Sequence, residues 1–307
     1  MSLKSFLRSR VPDLYVRLQE ILQDVGYYKR MYTPKKLIPH VLKREFIKKN
    51  GYELNIDNPK TYTEKIQWLK LYDPEPLRTV LTDKVAVETW VKEKIGEKYL
   101  IKTLGVYKNF EEIDFDGLPQ KFVMKTNHSS GWNIIVRDKE KLDKKEARRK
   151  FHRWLGMNYA FYCQYEIHYT PIKPKIQIQE FVEDPDGELK DYKFLCFGGK
   201  PYFVWVDYDR FSKHKRNVFN MNWELQPWNQ YSYGNHPNVE KPLNFEEMVE
   251  VATVLCQGFP HVRVDLYNVK GKILFGEMTF TNGGGLEPIY PAEYDKMLGD
   301  LIELPII

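Results

Sequence analysis

With 307 residues, of which 42% are hydrophobic and 29% charged, the chain is too long for one small domain and has the make-up of a folded protein of two or more lobes. No uninterrupted apolar run approaches the ~20 residues of a membrane-spanning helix. Lys4, Arg8 and Arg10 break up the one N-terminal stretch that could serve as a signal peptide. Cys163, Cys196 and Cys256 lie far apart, without paired or metal-ligand spacing, so a reduced, cytoplasmic protein is expected. The net charge is +5, and much of the excess lies early, from Lys4 through Arg17, Lys29, Lys35 and Lys36 to Lys49. Two readings of that charge stay open. One is a solvated helical face; the other is a peripheral contact with an acidic polymer or with anionic lipid at the inner face of the membrane. No fingerprint of a nucleic-acid module accompanies it, so nucleic acid is not expected as a partner.

In chain order, Leu14, Leu18, Ile21 and Leu22 recur at helical spacing behind Pro12 and predict a helix over 13–25. Thr61 and Glu64 have capping-box spacing and announce a second helix. A third begins near Thr82-Asp83 with Ala86, Val87, Trp90 and Val91 on one side. The first hundred residues are thus mainly helical. The pattern then changes. Lys121–Thr126 and Asn133–Arg137 read as strands around the polar tip Asn127-His-Ser-Ser-Gly-Trp132. A charged helix follows from Asp143 to Leu155, and 175–182 is a further strand. Tyr192–Phe197 and Pro201–Val206 are strands joined at Gly198-Gly199, a tight-turn signal. A helix from Asn244 precedes a last hairpin of His261–Tyr267 and Lys272–Phe280, which runs into Thr281-Asn282-Gly283-Gly284-Gly285. Helices mixed with antiparallel hairpins predict an α+β architecture.

Three constellations carry chemistry. On the last hairpin Arg263 and Asp265 share one polar face, as do Glu277 and Thr279 on the partner strand. Two carboxylates aimed at one point suit Mg²⁺, which takes one or two carboxylates plus phosphate oxygens; a surface cross-strand pair of Arg263 with Glu277 is the plainer alternative. Lys125 ends an apolar strand ahead of Ser129, Ser130 and Gly131, whose hydroxyls and N–H groups can cover phosphates. An ordinary polar hairpin tip reads the same way. Gln179-Glu180-Phe181-Val182 offers backbone groups beside apolar side chains, a suitable adenine slot. Asp191 and Lys193 share a face of the next strand, within reach of ribose and phosphate or simply of each other. His128 and His261 are isolated and read as structural.

The order of these pieces resembles the ATP-grasp superfamily over roughly 80–290. More closely it resembles the TupA-like ATP-grasp family of teichuronopeptide and polysaccharide biosynthesis. Asn58–Trp68, Thr82-Asp-Lys84, Val123–His128, Asp191-Tyr-Lys-Phe194, Arg263-Val-Asp-Leu-Tyr267 and Gly276-Glu-Met-Thr-Phe280 carry the match. The resemblance implies a helical region over 1–80, a lobe over 81–182 with a lid hairpin, and a lobe over 183–307 with a metal-binding hairpin. It further implies ATP and Mg²⁺ as cofactors. Lys125 would contact the α/β-phosphates, and Ser129–Gly131 would fold over the triphosphate. Glu180 and Val182 would hold adenine through their backbone, with Gln179 and Phe181 alongside. Asp191 would take the ribose, and Lys193 would hold phosphate or substrate. Asp265 and Glu277 would bind Mg²⁺, and Arg263 would steady the transferred phosphoryl group. Many relatives have Glu-x-Asn where Thr279 stands here, and Asn282 could substitute only if its loop bends back. Arg210 and Arg216 are further phosphate-binding candidates.

The implied activity is carboxylate–amine ligation through an acyl phosphate, joining an amine or amino acid to a uronic-acid carboxyl of a saccharide. A sugar kinase, a glycosyltransferase and a non-catalytic ATP-binding or scaffold protein are the alternatives. The second would draw on Asp207-Tyr-Asp209, whose flanks read as a strand running into an Arg-rich loop.

Overall fold

The computed structural model describes residues 12–73, 75–185, 189–208, 214–231, 233–237 and 239–306. Lys4, Arg8, Arg10, Asp209 and Arg210 lie outside the described residues. Five helices come first: α1 (Pro12–Met31), α2 (Ile38–Asn50), α3 (Tyr62–Tyr72), α4 (Leu77–Thr82) and α5 (Ala86–Ile95). The capping box at α3 is formed as expected: the Thr61 side chain accepts from Glu64 N–H, and Glu64 reaches back to Thr61 N–H. α1 runs longer than the sequence predicts, and its apolar residues Leu14, Leu18, Ile21 and Leu22 are exposed.

Strands β1 (Thr103–Tyr107), β2 (Phe122–Thr126), β3 (Asn133–Val136) and β4 (Ile176–Glu180) form an antiparallel sheet in the order β1-β4-β2-β3. β1 escaped the sequence reading because it is short, carries Gly105 and lacks a clean alternation. One face of this sheet is apolar: Phe122, Met124, Val136, Ile176 and Ile178 pack with Ala147 and Phe151 of α6 (Lys144–Leu155). By the two-residue period of a strand, Val123, Lys125, Gln177 and Gln179 must occupy the opposite face, and the register sets Lys125 opposite Gln177 and Val123 opposite Gln179.

A second antiparallel sheet contains β5 (Asp191–Phe197), β6 (Lys200–Tyr208) and β7 (Lys215–Asn220). Between β7 and the last hairpin lie the two-residue β8 (Asn229–Gln230) and α7 (Phe245–Leu255). The hairpin itself is β9 (His261–Val269) with β10 (Lys272–Thr279). The order is β10-β9-β5-β6-β7. The Gly198-Gly199 turn between β5 and β6 has φ of 52° and 76°, which glycine adopts without steric cost. One face of the sheet, with Phe194, Val204, Val264 and Met278, buries against Val87, Val91 and the apolar side of α7. The other face is divided. Leu195, Phe197, Phe203 and Trp205 pack under α3 and the C-terminal helix α8 (Glu293–Asp300), and β11 (Ile289–Tyr290) pairs with β8 close by. The half beyond α3 and α8 carries the charges, which are themselves buried.

Candidate active site

Strand register builds the charged half of the sheet as two rungs. Glu277 pairs with Asp265, and Asp265 with Lys193; on the next rung Tyr267 pairs with Asp191, and Asp191 with Asp207, which faces Arg216 on β7. Glu277 reaches this face through a bulge. Phe275 pairs with Leu266 but Glu277 pairs with Asp265, leaving Gly276 as the extra residue. Ile273 and Phe275 lie in the core; unbroken alternation would send Glu277 there too. A Cβ on Gly276 would sit 3.0 Å from Asp265 O and 3.3 Å from the Tyr267 ring, so the bulge admits the close approach that only glycine allows.

The expected partners on the hairpin do come together. Arg263 donates to both Asp265 oxygens, at 2.7 and 2.7 Å, and to Glu277 Oε1 at 3.1 Å. Thr279 donates to the same Glu277 oxygen at 3.2 Å. The Arg263–Glu277 ion pair thus exists and is partly buried, the Arg263 side chain being 11% exposed and that of Glu277 30%. The turn Asn282–Gly285, with φ of 57°, 61° and 66° at its three glycines, bends the chain back so that Asn282 Oδ1 accepts from Arg263. Burial pushes the Asp265 carboxyl up to about 6 against the pull of Arg263, and Asp191 and Glu277 add to the rise. Burial opposes ionisation of Glu277 as well, but Lys84, Arg263 and Lys193 outweigh it and hold Glu277 down at about 2.

Lys84 ties this hairpin to the other sheet. Its ammonium is 3.6 Å from Glu277 Oε2 and donates to Ser129 O at 2.6 Å, while its N–H donates to Asn127 O at 3.0 Å. The sequence marked Lys84 only as part of a matching segment. Placed just before α5, it belongs to no strand face and has no period to betray it. Lys125 lies on the same side, its ammonium lowered to about 8 by burial and by the nearby charge of Lys84.

The lid tip is not uniformly loose. Asn127 exchanges hydrogen bonds with Lys173 and Lys175, and the Ser129 hydroxyl is bound to that of Thr126. Ser129 is therefore buried and engaged, and only Ser130 and Gly131 stand exposed. On the hinge, the Gln179 amide donates to Glu88 at 2.9 Å, and so does Gln177 at 2.7 Å. Glu180 N–H donates to Lys102 O at 3.0 Å, Arg137 lies over the Phe181 ring at 5.2 Å, and Val182 is half-buried.

Asp191 and Lys193 share a face as expected, but Lys193 is 5% exposed and held between carboxylates, 3.0 Å from Asp191 and in contact with Asp207. Arg216 donates to Asp207 at 2.6 and 3.1 Å and to Gln230 at 2.9 Å. Burial would raise the Asp207 carboxyl, yet Arg216 and Lys193 hold it far below the usual range. Reaching phosphate would require Lys193 to leave this network. His261 is buried between Tyr62 OH at 3.1 Å and Cys196 O at 2.9 Å, and His128 contacts Met157 O at 3.2 Å.

Among the described residues, no group of three or more His, Cys, Asp or Glu is placed to hold a metal. Asp265 and Glu277, with Thr279 beside them, are the oxygen donors for a cation that completes its shell with phosphate oxygens and water, and Arg263, which holds both Asp265 oxygens and Glu277 Oε1, would have to yield them to it.

No curated protein matches the sequence. Solved structures similar to it include the D-alanine–D-alanine ligase from Bacillus anthracis complexed with ATP, at 15% identity and a TM-score of 0.38, covering 66% of this chain and 54% of that one. The D-alanine–D-alanine ligase from Helicobacter pylori matches at 14% identity and 0.39, covering 79% and 69%. A RimK domain ATP-grasp protein from Sphaerobacter thermophilus matches at 13% and 0.37, covering 73% and 69%. The chain thus spans about half the length of the first of these, and at such distance they assign no residue a role. Residues 64–303 match the TupA-like ATP-grasp model; the chain belongs to that family and has an α+β ATP-grasp fold.

Proposed function

We propose that the chain is an ATP- and Mg²⁺-dependent carboxylate–amine ligase working through an acyl phosphate. The observation that carries this reading is the meeting of two hairpins from separate sheets: Lys84 touches both the lid backbone at Ser129 and the Glu277 carboxylate. Triphosphate placed between them would meet Lys125 and Lys84 from one side and the Arg263 guanidinium from the other. Phosphoryl transfer asks for such positioning and charge neutralisation, with no covalent protein nucleophile. In this reading Asp265, Glu277 and Thr279 hold Mg²⁺, which neutralises phosphate oxygens when bound. Ser130 and Gly131 cover the phosphates, with Ser129 shaping the tip and seating Lys84. Glu180 and Val182 hold adenine through their backbone, and Phe181, braced by Arg137, packs beside it. Asp191 serves the ribose, and Lys193 supplies positive charge from within its ion-pair network. Arg263 steadies the transferred group.

The substrate carboxylate would attack the γ-phosphorus and release ADP; an amine would then displace phosphate and form the amide. The acceptor we favour is a uronic-acid carboxyl of a cell-surface saccharide, with an amino acid or amine as co-substrate, on the strength of the family's link to polysaccharide biosynthesis. The residues 81–182 and 183–307 would be the two lobes that close on nucleotide. The glycosyltransferase alternative loses support from Asp207, whose oxygens are occupied by Arg216 and Lys193. The test is ADP release with glucuronate or galacturonate oligomers, each paired with single amino acids. Amide product in step with ADP supports ligation. ADP with a phosphorylated sugar and no amide would replace it with a kinase.

A further inference from the structure

The helix α1 is mounted with its polar side inward. Glu20 pairs with Arg149 at 3.0 Å and Asp24 with Arg153. Gln23 accepts from Tyr162 OH at 2.9 Å, and Tyr27 OH accepts from Asn158 N–H at 3.2 Å. Arg30 donates to the carbonyls of Phe161 and Tyr162. The side turned to solvent carries Leu14, Leu18, Ile21, Val25, Tyr28 and Tyr32, each between 37% and 75% exposed. Their spacing of four, three, four, three and four residues sets them in one stripe along the helix, and Leu22 at 63% exposed widens it. A surface helix ordinarily buries such a stripe, and a contiguous exposed one marks an interaction site.

Charge decides between occupants. Arg17 and Lys29 border the stripe, Lys35 and Lys36 continue it in the following turn, and all four are exposed. The acids of the helix beyond Leu14, Glu20 and Asp24, are spent inward on Arg149 and Arg153. The outward surface is therefore apolar and cationic together. A second copy of the chain on this face would bring like charges into register, whereas anionic lipid headgroups would neutralise them while the acyl boundary takes up the leucines. Tyr28 and Tyr32 suit the headgroup level, with an apolar ring and a polar tip. Among the described residues no helix is long and apolar enough to cross a membrane; the helix would lie in the plane of the surface.

We propose that α1 is an amphipathic docking helix that seats the protein on an anionic lipid surface. The experiment is co-sedimentation of the full chain with vesicles of phosphatidylcholine alone and of phosphatidylcholine with phosphatidylglycerol, over a range of salt. Wild type is expected to pellet with the anionic vesicles only, and less so as salt rises. The doubly substituted Ile21→Asp, Val25→Asp chain is expected to bind at least about tenfold more weakly, with an unchanged circular dichroism spectrum because both side chains already face solvent. Lys35→Glu with Lys36→Glu, in an exposed turn, is expected to erase the preference for anionic vesicles. Wild type left in the supernatant, or binding that survives the two aspartates, would overturn the proposal. So would a wild-type dimer by light scattering that the same aspartates convert to monomer.

Discussion

Lys125 is half-buried and near the ammonium of Lys84, so its proton is held loosely, at about 8. Its folded value is below the usual lysine range, so free protein begins to lose that proton as pH rises through about 8. Phosphate beside it would favour the charged form and draw the proton back. Mg-ATP binding at pH 8 should therefore take up protons, up to about half a proton per site. Titration calorimetry in two buffers of different ionisation enthalpy reads this directly, and Lys125→Arg should abolish the uptake. Uptake unchanged in that variant would remove Lys125 from the phosphate site. The alternation Arg-x-Asp and Glu-x-Thr announced the hairpin's polar face, because a strand's period is visible in one sequence. Lys84 and Asp207 were not legible in the same way: one precedes a helix, and the other acquires its meaning only when β6 is laid beside β5.

At the scale of elements, the sequence showed where helices and hairpins begin but not how they mount. Thr61 and Glu64 revealed α3 because capping is local chemistry. The stripe on α1 was just as visible, yet periodicity alone cannot say which way a stripe faces, and the acids that turn it outward pair with arginines more than a hundred residues away. The bulge at Gly276 was likewise hidden, since its glycine reads as ordinary until the register is known. It makes a sharp prediction. Gly276→Val places a branched side chain against Asp265 O and the Tyr267 ring, so β10 must shift or resume its regular alternation. Mg-ATP affinity should fall by at least about tenfold, roughly 1.4 kcal/mol, while unfolding stays cooperative in urea. Wild-type affinity in this variant would show that Glu277 does not depend on the bulge for its aim.

Across the whole molecule, the apolar and charged halves of one face of the five-stranded sheet divide the labour. Helices α3 and α8 bury Leu195, Phe203 and Trp205, and this cover stops where Asp191, Lys193, Asp207 and Arg216 begin. Those charges are buried and compensate one another, an arrangement that is costly to break by removing one partner. It gives the adjoining hairpin a stiff support for Arg263, Asp265 and Glu277. The four-stranded sheet brings Lys125 and the lid to the same place, and Lys84 is the contact that joins the two. A nucleotide would be held at that junction, and calorimetric titration of Mg-ATP into wild type, Lys125→Ala and Glu277→Ala, with UDP-sugars as controls, tests this. Wild type should bind, each variant should lose about tenfold or more in affinity, and UDP-sugars should give no heat. Undiminished Mg-ATP binding in both variants, or heat from a UDP-sugar with none from ATP, would contradict it.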